Sequence, residues 1–132
     1  MRIPLFLAVI MAMLLGSLST EAHHSFTGAY NVDKTITIKG KIIQIALRSP
    51  HSFFYVESQD EKGTTQQWAV EGASAGQFAQ QGVDSTAFRI GDPVEVTANP
   101  SRTTNSTRAR LVKIIRTTDG KSWGTRAAET VQ

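Results

Sequence analysis

The chain has 132 residues, a net charge of +3 and no cysteine. That length makes one domain. The missing cysteine excludes a disulfide framework, a thiolate metal site and a lipid-attachment site, and so mild a positive excess demands no polyanionic partner.

Residues 1–22 read as a secretory signal. Arg2 supplies a minimal basic start, Ile3 to Leu18 is apolar apart from Pro4, Gly16 and Ser17, and Ser19, Thr20 and Glu21 then lead to Ala22, a small residue suited to peptidase cleavage. The competing reading, an uncleaved anchor, needs roughly 20 apolar residues, and this run is shorter. The expected location is therefore periplasmic or secreted, with membrane contact only through the signal. Cleavage after Ala22 removes one arginine and one glutamate, so the net charge stays at +3.

Residues 23–34 show no lasting period and read as an extended arm, with Phe26 and Tyr30 tacking it to the body. Thr35 opens a long strand. Ile36 and Ile38 share one parity, Ile43, Ile45 and Leu47 the other, and the switch around Gly40 to Ile43 predicts a bulge or sharp coil. Ser49-Pro50 ends that strand at a corner carrying His51, and residues 52–57 return as an aromatic-rich strand. Phe53 and Tyr55 share one face there, Phe54 and Val56 the other. A glycine-containing hairpin loop at 59–63 leads to a third strand at 67–71, with Trp68 and Val70 on one face. Residues 74–82 predict a short helix capped by Ser74 and ended by Gly82, with Phe78 as its apolar contact. A turn at 88–93 enters a fourth strand at 94–98. A polar loop at 99–107 follows, then a fifth strand at 108–116, with Val112 and Ile114 on one face and Leu111 and Ile115 on the other. Asp119-Gly120 turns the chain into a tail, 118–132, that carries Trp123.

Three strands, a helix and two strands, with the first strand long and coiled, predict an all-β fold with one short helix. The order is that of the five-stranded oligonucleotide/oligosaccharide-binding (OB) barrel, β-β-β-α-β-β, over residues 35–117. A different small barrel, or a sandwich of short strands, is the alternative.

These residues also resemble a family. Ala22-His23-His24-Ser25-Phe26 after a signal, a Lys39-Gly40 strand running to Ser49-Pro50-His51, Trp68-Ala69, Glu71-Gly72, Gly91-Asp92 and Asp119-Gly120 occur in order. Together they are similar to a group of small secreted bacterial proteins of unknown function. The likeness extends from His23 to about Trp123. The chain departs from the group's pattern at Ser49, where asparagine is usual, and at Val83, where tryptophan commonly follows the glycine. The resemblance implies a periplasmic barrel and no established activity.

Two of the chain's three histidines stand at the predicted cut. Cleavage after Ala22 makes His23 N-terminal, so that its α-amine and Nδ1 chelate one metal ion and a second imidazole completes a three-nitrogen site. Such a donor set suits copper, with zinc or nickel as further candidates. His24 or His51 supplies the second imidazole, and His51 fits better because neighbours on an extended arm point apart. Cleavage one residue earlier puts His24 third, and its imidazole then joins the amine and two deprotonated amides in a square-planar Cu(II) or Ni(II) site. Glu57, Glu71 and Asp33 are the carboxylates expected to orient an imidazole. The competing reading makes His23 and His24 a solvated terminus and His51 a packed corner residue.

Conventional catalysis has little support: there is no Gly-x-Ser-x-Gly elbow, no triad context for the histidines and no phosphate loop, and Asp60-Glu61 reads as a solvated loop. The alternative function is a non-catalytic envelope module that binds sugar, peptide or protein on the barrel face through Phe53, Tyr55 and Trp68. A secreted location argues against nucleic acid as the partner. Basic residues gather late, at Arg102, Arg108, Arg110, Lys113, Arg116, Lys121 and Arg126, and are expected to form a solvated strand face.

Overall fold

The structure is a computed structural model that describes residues 26–124. Its elements are β1 (Ile36–Ala46), β2 (Phe53–Gln59), β3 (Thr65–Glu71), α1 (Ala75–Gln80), β4 (Pro93–Pro100), β5 (Arg108–Arg116) and β6 (Ser122–Trp123). The sheet runs β3-β2-β1-β4-β5-β6, and a parallel pairing of β3 with β5 closes the first five strands into a barrel. This is the OB-like arrangement that the element order predicts.

The coil of β1 closes the ring. Its first half pairs with β4 from Ile36 to Lys41, and its second half pairs with β2 from Gly40 to Ala46. At Gly40, where both partners meet the strand, an added Cβ would lie 2.0 Å from the Glu57 carbonyl oxygen, so no larger residue fits. The register slips between Ile42 and Gln44, and Ile43 is the extra residue of the expected bulge. Side chains therefore change parity without leaving the core: Ile38 and Ile42 are buried before the slip, and Ile45 packs against the core after it.

The same device operates in β5, where simple alternation was the expectation. The β4–β5 register slips so that Thr97 faces Lys113 and Ala98 faces Leu111, passing over Val112. The core consequently takes Leu111 and Ile114, one from each parity, and not one alternating set. With Phe54, Val56, Val70, Val94 and Val96 these fill the barrel.

Helix α1 plugs one end. Ser74 caps it, its hydroxyl accepting from the Gln77 amide while the Gln77 side chain reaches back to the cap. The buried Phe78 meets Phe54 and Trp123 edge-on, at centroid distances of 5.9 and 4.6 Å. Trp123 belongs to the short strand β6, so the predicted tail begins as a sixth strand against β5. The predicted extended arm is likewise partly helical: residues 26–29 form a helical turn closed by the Tyr30 amide donating to the Phe26 carbonyl at 2.8 Å. That turn places Phe26 and Tyr30, four residues apart, on one face and lets both pack on the body. Tyr30 is 2% exposed and bridges to Ser101.

Candidate functional site

The corner between β1 and β2 is built from its backbone outward. Ser52 is buried; its hydroxyl accepts from the Arg48 amide at 3.1 Å and donates to the Arg48 carbonyl at 3.2 Å. The Ser52 amide donates to Ala73 and its carbonyl accepts from Gly72, which ties the corner to the end of β3. At Gly72 an added Cβ would lie 2.6 Å from the Phe78 ring, so close packing with α1 fixes this junction too. His51 is thereby held beside Glu71, the last residue of β3.

Glu71 is the centre of the cluster, with its side chain 13% exposed. Its Oε1 lies 2.9 Å from His51 Nδ1, while Oε2 accepts from the Tyr30 hydroxyl and from Arg108 Nη2, the latter at 3.1 Å. The His51 contact has the separation of an ion pair but not the geometry of a hydrogen bond. Nδ1 is thus a buried nitrogen without a hydrogen-bond partner, 2.9 Å from the Glu71 carboxylate. Burial first, then the hydrogen bond and charge of Glu71, push the Tyr30 phenol up to about 12, with Arg108 pulling weakly the other way. Phe26 covers the other side of His51 at a centroid distance of 4.9 Å, and the Arg110 guanidinium lies 4.9 Å from the Phe26 ring.

An open groove of about 720 Å³ runs from this cluster along the loop before β5, past Ser101, Arg102, Thr103 and Ser106. A second, of about 390 Å³, lies on the Pro50 and Trp123 side of the same residues. Phe26, His51 and Glu71 form the wall between them.

Of the expected metal ligands, His51 is placed at this wall, and His23 and His24 lie outside the described residues. Among the described residues no group of three or more histidine, aspartate or glutamate side chains is arranged to hold a metal ion. Of the three carboxylates expected to orient an imidazole, Glu71 stands beside His51, whereas Glu57 pairs with Lys41 at 3.5 Å. Phe53 and Tyr55 lie half-buried on the outer face of β2, their rings 6.1 Å apart and 25° from parallel. Trp68 is not displayed with them. It shares the inward parity of Val70 and packs against the core, because β3 has no bulge to turn it outward.

Tyr30 and Arg108 are the members that sequence reasoning missed as site residues. Tyr30 was legible only as an anchor of the arm, and Arg108 only as one cation of a late basic run. What brings Arg108 to Glu71 is the parallel β3–β5 pairing, which sets Ala69 opposite Arg108 across 39 residues of chain, a contact no local pattern announces.

The family model described as "Family of unknown function (DUF6152)" matches residues 12–110. No curated protein matches the chain. Among solved structures, the mitochondrial single-stranded DNA binding protein Rim1 from S. cerevisiae is similar at 18% identity and a TM-score of 0.46. The match covers 61% of this chain and 90% of that one.

Proposed function

The chain belongs to the DUF6152 family of unknown function, and from that premise we propose that it is a periplasmic barrel that binds copper at its processed N-terminus, with His51 as the anchoring imidazole. The observation that carries this reading is the wall itself. Phe26 packs on His51 at 4.9 Å, and His23 and His24 precede Phe26 by three and two residues. Chain geometry limits the Cα of His24 to roughly 7 Å from that of Phe26 and the Cα of His23 to roughly 11 Å, within reach of the His51 ring.

The surroundings of His51 support the same role. A metal-bound imidazole characteristically turns its other ring nitrogen to a carboxylate, which fixes the ring and raises its basicity. Glu71 stands 2.9 Å from Nδ1 and is held from behind by Tyr30 and Arg108, which leaves Nε2 as the nitrogen for the metal. The amine and Nδ1 of His23, or the His24 set, supply the remaining nitrogens, a donor chemistry that favours copper over magnesium or calcium.

The test is a Cu(II) titration of secreted protein whose N-terminus has been verified by mass spectrometry. One-to-one binding is expected, abolished by one extra residue before the natural terminus and weakened by His51→Ala. Binding that is unchanged in both variants would defeat this reading. Loss in the extended protein with no effect of His51→Ala would keep the terminal chelate and remove His51 from it.

A further inference from the structure

We propose that the outer face of β2, which adjoins the Glu71 cluster through Arg108, is a second site that binds an oligosaccharide carrying an acidic sugar, with the carboxylate held by Arg48 and Arg108 and the sugar ring stacked on Tyr55. Two guanidiniums converge there from distant parts of the chain. Arg48 comes from the β1–β2 corner and Arg108 from the first position of β5, and they lie 5.4 and 5.7 Å from the centroid of one ring, Phe53. The ring face attracts each guanidinium and holds both near one place. Glu71 pairs with Arg108, whereas Arg48 makes no ion pair among the described residues. Arg48 is exposed, and the Arg108 side chain is 57% exposed, so both retain outward N–H donors in the fork geometry that grips a carboxylate.

Beside that anion position lies a stacking surface. The Tyr55 ring is adjacent to Phe53, and its neighbour across on β3 is Ala69, while Phe53 stands between Ala46 on β1 and Glu71, the partner of Arg108, on β3. On the Ala69 and Ala46 flanks, side chains no larger than a methyl leave the rings standing above the sheet. On its other flank Tyr55 faces Gln44, an amide able to meet a sugar hydroxyl. A small barrel of this topology uses this strand face and the loops after its first and fourth strands for oligosaccharides and oligonucleotides.

The charge pattern separates those two ligands. A nucleic-acid strand carries a phosphate at every residue and requires cations along its path. Here the cations gather at the Phe53 end, and past Tyr55 the same strand presents Glu57, its charge matched by Lys41 at 3.5 Å. One anionic group beside a flat C–H face fits the surface better than a phosphate chain does.

Calorimetric titration with a galacturonic acid trisaccharide, its methyl ester and oligothymidylate tests this on wild type, Arg48→Gln and Tyr55→Thr. The acid form is expected to bind; esterification or Arg48→Gln, each the loss of a charge-assisted contact, should weaken it at least about tenfold, and so should Tyr55→Thr, which removes the stacking ring. Arg48 is exposed and unpaired among the described residues, so Arg48→Gln should keep the wild-type melting temperature and its loss of binding cannot be ascribed to unfolding. No binding of the acid trisaccharide, equal binding by Arg48→Gln, or tighter binding of oligothymidylate would each overturn the proposal. The copper titration is independent of all three outcomes.

Discussion

Two corners of this barrel are built from the same chemistry, an arginine against a carboxylate, and are finished differently. Arg116, the last residue of β5, spends its donors on fixed acceptors: Nη1 on Asp92 at 2.9 Å and on the Ala87 carbonyl at 3.0 Å, Nε and Nη2 on Asp119 at 2.9 and 2.7 Å. It clamps the turn before β4 to the turn after β5. At the start of the same strand, Arg108 gives Glu71 one contact, and Glu71 divides itself among Tyr30, Arg108 and a histidine nitrogen with no hydrogen-bond partner, beside an open groove. A satisfied cluster braces a fold. A cluster with donors to spare and access to solvent is where a ligand gains most.

The largest separation between the corners should appear in metal affinity. Glu71→Gln keeps the size of the side chain and an acceptor for Tyr30 but removes the charge facing His51. Cu(II) affinity is expected to fall roughly 10–100-fold, the usual cost of losing the group behind a metal-bound imidazole. Asp92→Asn, at the clamped corner, should leave that affinity unchanged. Equal losses in the two variants would mean that neither carboxylate acts on the metal directly.

Thermal melting should rank the corners in the opposite order. Arg116→Met removes a guanidinium that is 15% exposed and strands Asp92 and the Ala87 carbonyl, whereas Arg108→Met removes one that is 57% exposed and leaves Glu71 still held by Tyr30. The Arg116 variant is expected to lose clearly more melting temperature. If Arg108→Met is as damaging, the Glu71 corner is a brace as well.

The acid limb of stability sharpens this further. Hydrogen bonding to Arg116 and to the Lys121 amide holds the Asp119 carboxyl at about 2, below its ordinary 3.8. At Asp92 burial alone would raise the carboxyl, but the Arg89 amide and the Arg116 guanidinium outweigh it and lower it. Both are depressed acids. Their stabilisation is complete above the ordinary carboxylate range and is lost as pH falls through about 4 toward 2. Melting temperature measured across that window should fall less steeply in Asp119→Asn than in wild type.

Much of this was legible in the sequence because it depends on local signals. The parity switch in β1 announces its bulge, Ser74 announces the helix cap, and Phe53 and Tyr55 follow from period-two alternation. The bulge at Val112 was not, because its flanking residues are apolar on both parities and either face can be buried. The partnership of Glu71 with Tyr30 and Arg108 was hidden for another reason. The three come together over separations of 41 and 37 residues, through strand pairing that only the closed barrel defines. His51 was nameable as a candidate ligand from its corner, and its carboxylate could be narrowed only to Glu57, Glu71 or Asp33.

Tyr30→Phe has the smallest expected effect and tests the comparison most directly. It deletes one hydroxyl from a side chain that is 2% exposed and leaves the ring packing intact, while Arg108 still holds the Oε2 atom that the phenol shared. Losing one hydrogen bond whose acceptor remains engaged costs about 1 kcal/mol. The variant should also lose part of the alkaline limb. The folded phenol titrates at about 12 against an ordinary 10, so the neutral hydroxyl is the favoured form, and its stabilisation is complete below pH 10 and disappears as pH rises toward 12. Phenylalanine carries no such proton, so the melting temperatures of the two proteins should converge across that window. A constant gap would mean that the hydroxyl acts through packing alone, and Glu71 would then owe its position to Arg108 and the strand ends.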